Sequence, residues 1–140
     1  MERNESLGYL VSHFNVELQR EMDLRLKRYN IDLKLWPVLF CLWEEEGVTQ
    51  TELSCSCDVA NYTMTRMLDQ LQAQQLVYRH QESDDRRSFK IYLTDEAKAL
   101  EHDVIREVER VHEYFLSVLN DEDKKSLLRL LKRVPRNNVL

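Results

Sequence analysis

Leu7, Leu10, Val11, Phe14, Leu18 and Met22 recur at spacings of three and four, which places them on one stripe of an amphipathic helix and predicts a long helix over 5–28. Tyr29-Asn30 ends it. Leu35, Val38, Leu39, Leu42 and Trp43 repeat the pattern and predict a second helix over 32–46, with Asp32 as its N-cap and Gly47 as its C-cap. Pro37 has no amide hydrogen, so it fits only if this helix starts late, with Trp36 before the first turn. Thr49-Gln50-Thr51-Glu52 matches the capping box, in which a threonine oxygen and a glutamate carboxylate each satisfy an orphan amide, and a short helix to about residue 57 is expected to follow. After Asp58 a further helix is predicted over 61–75. Met64, Met67, Leu68 and Leu71 form its inward face, and Tyr62, Thr65, Arg66 and Asp69 its outward one.

The period then changes from helical to alternating. Residues 76–80 and 89–93 read as two β-strands joined by the polar stretch 81–88, a hairpin with a long charged tip. Thr94-Asp95-Glu96 caps a long helix expected over 95–119, with Leu100, Val104, Val108, Val111, Phe115 and Val118 inward. Asn120 caps a last helix, on which Leu127, Leu128, Leu130, Leu131 and Val134 occupy most of the circumference. A lone surface helix cannot hide that much apolar surface, so it is expected to meet another chain. The predicted class is mainly α with a small β-hairpin wing.

Composition narrows the function classes. The 140 residues amount to one domain, and only two glycines and two prolines disfavour Gly-rich phosphate loops and many-stranded β folds. No apolar run approaches the length a bilayer requires, and Met1 to Ser6 lacks the layout of a secretory signal, so a cytoplasmic protein without membrane contact is expected. The cysteines, Cys41, Cys55 and Cys57, are odd in number and do not suggest a disulfide scaffold. Cys55-x-Cys57 is too close for a usual metal pair. We read the three as small apolar residues, with oxidant sensing as the alternative. The four histidines are scattered, and no G-x-S-x-G, H-E-x-x-H or Gly-rich motif is present. No catalytic residue, metal or cofactor is expected, and the chain is read as a non-enzyme.

Three helices followed by a charged-tip hairpin is the order of a winged helix-turn-helix, in which one helix fills the DNA major groove and the hairpin reaches sideways. The reader would be the helix beginning near Asn61. Asn61 and Arg66 have directional donors suited to base edges, while Tyr62 and Thr65 can bond to bases or phosphates.

These residues carry a resemblance. Thr51-Glu52-Leu53, Val59, Thr63-Met64-Thr65-Arg66 with Asp69 and Leu71, and Asp85-Arg86-Arg87 followed by Leu93-Thr94 are similar to the MarR family of bacterial transcriptional regulators. The resemblance implies a single domain over 1–140, with a winged helix-turn-helix core over 32–94 and a helical dimerisation region over 5–30 and 95–140. It implies a homodimeric repressor on a pseudo-palindromic operator in double-stranded DNA, released by an oxidant or a small aromatic effector. DNA contacts would then come from Asn61, Tyr62, Thr63, Thr65, Arg66, Arg86 and Arg87, with Arg86 at the wing tip in the minor groove. Asp69 and Asp85 would support the wing, Asp69 through Arg86 or Arg87. His13, Trp36 and Phe40 would line an effector cleft, or else serve as core.

The chain departs from the family pattern where Glu82-Ser83-Asp84 puts an acid in place of a basic wing residue. Asp58, Gln75 and Ala97 stand where the family favours glycine. Between Thr49 and Thr94, Arg66, Arg79, Arg86, Arg87 and Lys90 face six acids, a net charge of −1. That balance keeps open a rival reading, a winged-helix protein-interaction module that has lost DNA binding.

Overall fold

In the computed structural model, residues 1–82 and 89–134 are described. After a 3₁₀ turn at Arg3–Glu5 come α1 (Leu7–Lys27), α2 (Trp36–Glu44), β1 (Val48–Thr49), α3 (Gln50–Ser56), α4 (Asn61–Ala73), β2 (Val77–Gln81), β3 (Phe89–Leu93), α5 (Asp95–Leu116) and α6 (Asp121–Arg133). The fold is mostly helical with a three-stranded antiparallel sheet in the order β1-β3-β2. The hairpin pairs Val77 with Leu93 and Arg79 with Ile91. The short strand β1, which the sequence pattern did not reveal, pairs Val48 with Ile91.

One core joins the elements. Leu26, Leu35, Val38, Leu39, Leu42, Leu53, Met64, Leu68, Leu71, Val77, Ile91, Leu93, Val104 and Val111 are all buried, so α2, α3, α4 and the sheet share a single apolar interior with the end of α1 and the inward face of α5. Each fully buried leucine or isoleucine contributes roughly 1.5–3 kcal/mol.

The helix ends follow local chemistry. Thr49 forms the expected capping box: its oxygen accepts from the Glu52 amide at 3.2 Å, and Glu52 Oε2 accepts from the Thr49 amide at 3.0 Å. Thr94 and Asn120 cap α5 and α6 through Ala97 and Asp123. Asn30, Asp58 and Gln75 all have positive φ, at 58°, 55° and 60°. Each ends a helix in the same way: the following residue's amide reaches back five positions, as Leu76 N–H does to Leu71 O at 2.9 Å. Two of the non-glycine positions flagged in the sequence, Asp58 and Gln75, therefore do adopt the left-handed backbone.

Several expectations need correction. Asp32 does not cap α2. Its carboxylate accepts from the Lys34 amide at 2.9 Å in a preceding turn, and α2 starts at Trp36 with Pro37 in its first turn. Gly47 lies beyond the helix end at Glu45; it turns the chain into β1, its amide donating to Ile91 O at 2.7 Å. A Cβ there would stand 3.2 Å from the Tyr92 ring. α5 stops at Leu116, so Val118 falls outside it and is 86% exposed.

The end of α2 is fastened twice. Trp43 Nε1–H donates to Ala97 O at 3.1 Å, and Glu46 accepts from the Leu93 amide at 3.1 Å while pairing with Lys98 at 3.1 Å. Of the acidic residues Glu44, Glu45 and Glu46, the last thus makes two structural contacts. At the α1–α5 junction Glu107 is buried and pairs with Arg25 at 2.8 Å, with Arg110, and with Arg28 at 4.0 Å. The Arg25 hydrogen bond, reinforced by the charges of Arg110 and Arg28, holds its carboxyl below the usual range against the opposing effect of burial.

Candidate nucleic-acid interface

The face of α4 is organised from α3. Gln50, one residue inside the α3 cap, donates through Nε2 to Thr65 Oγ1 at 2.6 Å, to Asn61 O at 3.1 Å and to Asn61 Oδ1 at 3.4 Å. Ser54, one turn further along, donates to the same Asn61 Oδ1 at 3.0 Å. Thr65 in turn donates to Asn61 O at 3.1 Å. The Asn61 side-chain oxygen and the Thr65 hydroxyl are therefore occupied in fixing the angle between the two helices. Their sequence assignment gave them outward chemistry only.

What α4 leaves available is narrower. Tyr62 is 71% exposed. Arg66 is exposed and has no hydrogen bond or ion pair among the described residues. Thr63 is half-buried. The wing-tip assignments, Asp85, Arg86 and Arg87, lie outside the described residues.

The wing is nonetheless tied to α4. Arg79 on β2 pairs with Asp69 at 2.9 Å, donates to Gln72 Oε1 at 2.8 Å and reaches Thr65 O at 3.3 Å. Asp69 thus engages the wing through Arg79, a residue that sequence reasoning had counted only as charge. On the other face of the sheet Tyr78 and Tyr92 stack, with ring centroids 5.6 Å apart.

A second region lies between α1, α2 and α5. A cavity of about 470 Å³ is lined by Trp36, Phe40, Met22, Leu33, Val108 and His112, among others. Trp36 and Phe40 pack against each other at 5.1 Å. His13 is not in this lining. It stacks on Tyr9 at 5.9 Å, one part of α1 too early, and His112 from α5 is the histidine at the cavity.

Known proteins share both the sequence pattern and the arrangement. The MarR family model matches residues 31–89. The transcriptional regulator PecS of Dickeya dadantii (strain 3937) is 27% identical over 92% of this chain and 80% of its own length. A mutant MarR from E. coli complexed with operator DNA superposes with a TM-score of 0.85 at 26% identity, covering 93% of this chain and 94% of the other. The chain carries a MarR-family match over 31–89 and shares the fold of MarR regulators along its length. A MarR transcriptional regulator from Methanosarcina mazei Go1 agrees, at TM-score 0.83 and 25% identity over 90% of this chain and 91% of that one. The fold is a winged helix, and the proteins that share it and its sequence pattern are transcriptional regulators. Among the described residues no helix is long and apolar enough to cross a membrane.

Proposed function

We propose that the protein is a homodimeric repressor that binds a pseudo-palindromic operator and is released by a small aromatic effector or an oxidant. The observation that carries the DNA-binding part is the division of labour on α4. The Asn61 side-chain oxygen and the Thr65 hydroxyl are engaged by Gln50 and Ser54 in holding the helix, and Tyr62 and Arg66 are left projecting from a fixed platform. A pre-set helix loses less ordering entropy on docking. Arg66 supplies the planar fork that pairs with guanine, Tyr62 and Thr63 stand beside it, and the wing arginines Arg86 and Arg87 extend the contact into the minor groove. The segment 32–94 is the DNA-reading core in this proposal.

The pairing of two copies is supported by α1 and α6. Leu7, Leu10, Val11 and Phe14 of α1 and Leu128, Leu130 and Leu131 of α6 are exposed in the single chain. An apolar groove of about 920 Å³ runs between α1, the end of α5 and α6. Monomeric proteins rarely leave contiguous apolar surface of this kind open. Residues 5–30 and 95–140 then form the dimerisation region, and two α4 helices would enter successive major grooves about 34 Å apart. An aromatic effector fits the cavity lined by Trp36 and Phe40, because it touches α2 and α5 together.

The test is Arg66→Ala. We expect loss of operator retention in an electrophoretic shift, with circular dichroism and dimer mass unchanged. Unaltered affinity would mean that α4 does not read the operator. Binding by the unmodified protein should fall steeply with salt, since the contacts displace counterions from phosphates.

A further inference from the structure

Cys41 on α2 and Cys57 at the end of α3 bring their sulfur atoms within 3.8 Å, the Cys57 thiol donating toward Cys41 Sγ. Both residues are half-buried and both are free thiols, whereas Cys55 is exposed. They are far apart in sequence and come from different helices, so this contact is a product of the α2–α3 packing. Cys57 also sits one residue before the left-handed Asp58 that turns the chain toward α4.

We propose that Cys41 and Cys57 are a redox modification site, converted by an organic hydroperoxide into an intrachain disulfide that draws the end of α3 toward α2 and shifts α4. The sulfurs need only close from 3.8 Å to the bond length of about 2.0 Å. Cys41 is the attacking sulfur, because it is the acceptor of the contact while the Cys57 thiol is the donor. Burial, and then the nearby Cys41 charge, push the Cys57 thiol up to about 12, so it stays protonated and is the resolving partner. Cys41 sulfur attacks the terminal peroxide oxygen, the O–O bond breaks, and the alcohol leaves with a proton. The resulting Cys41 sulfenic acid is attacked at sulfur by Cys57, its oxygen leaving as water with the Cys57 proton. In total the two thiols lose two protons and two electrons, and the hydroperoxide is reduced to alcohol and water.

The closure acts on the turn that aims α4. Val59 N–H is bonded to Ser54 O at 3.1 Å and Asp58 N–H to Cys55 O at 3.3 Å, so the end of α3 and the turn move together. Ser54 is also the residue that holds Asn61. A shift at Cys57 therefore reaches the first turn of α4 through hydrogen bonds, and its effect on operator affinity rests on the function proposed above.

The experiment treats the purified protein with cumene hydroperoxide and reads three quantities: peptide mapping of the linkage, amide hydrogen exchange over 58–66, and operator affinity. We expect a Cys41–Cys57 cross-linked peptide pair reversed by dithiothreitol, retained in Cys55→Ser and absent in Cys41→Ser and Cys57→Ser. Exchange over 58–66 should rise, and operator affinity should fall by about tenfold, within the usual range of coupling between sites. Oxidation confined to Cys55, or linkage with unchanged exchange over 58–66, would overturn the proposal. So would an oxidised Cys55→Ser protein that binds operator as tightly as its reduced form. If the reduced protein retains no operator at all, the DNA-binding reading fails instead, and the linkage and exchange results still decide this proposal.

Discussion

The two halves of α1 carry the same apolar stripe and meet opposite fates. Met22 and Leu26, near its C-terminal end, are buried in the common core, while Leu7 is 75% and Phe14 is 44% exposed. No break in periodicity or composition separates them. The difference is one of supply: the winged lobe and α5 cover the late half of α1, and α6, with no buried residue of its own, leaves the early half open. A periodic stripe therefore fixes which face of a helix will be hidden, and leaves undetermined whether the cover comes from the same chain.

The strongest way to break this comparison is to charge the open half. In Leu10→Glu with Leu131→Glu, both carboxylates line the apolar groove, and burying them against a second copy is costly. Analytical ultracentrifugation should show monomers, and operator affinity should drop about a hundredfold as the two-lobed attachment is lost. Dimers that persist would place the partner contact elsewhere on the chain.

A smaller effect sharpens the closed half, where Glu107 ties α5 to the end of α1. Its carboxyl titrates below the ordinary value when folded, so the native state binds its proton less readily than the unfolded chain. The resulting stabilisation is complete above the unfolded pKa of about 4.3 and is lost as pH falls through the folded value. Glu107→Gln should cost about 1–2 kcal/mol at pH 7. The gap between the urea midpoints of parent and variant should be full at pH 7 and close as pH falls through the folded value of the Glu107 carboxyl. A gap that does not narrow in acid would remove ionisation as the cause.

The smallest expected effect concerns the lobe alone. Gln75 holds φ at 60° without the freedom of glycine, and Gln75→Gly should stabilise by about 0.5–1 kcal/mol after the added flexibility of the unfolded chain is counted. Thermal unfolding checks it. A lowered midpoint would show that the glutamine is not strained.

Much of the fold was legible because its signals are local. Stripe periodicity placed the helices to within a few residues, the Thr49 capping box announced α3, and the unusual residues at Asp58 and Gln75 marked turns that proved left-handed. What escaped depends on distances across the chain. β1 has two residues, too few for alternation to register. Gln50, Ser54 and Arg79 act through side chains that meet α4 only after folding, so nothing in their local pattern separates them from solvated polar residues. Glu107 did leave a trace, standing at helical spacing between Val104 and Val111, but a carboxylate at an inward position is identified as a buried ion pair only once its arginines are in place. In the same way, His13 was placed beside Trp36 and Phe40 by residue type alone, and only the packing of α5 shows that His112 is the histidine at the cavity they line.

The double fastening of α2, through the Trp43 indole to the head of α5 and through Glu46 to the wing, has a mechanical corollary. A wedge entering beside Trp36 cannot tilt α2 alone, since the helix is pinned to both neighbours downstream. The displacement would be carried by the lobe turning as a single lever, and in the dimer proposed above the spacing of two such levers would be the quantity that an effector tunes.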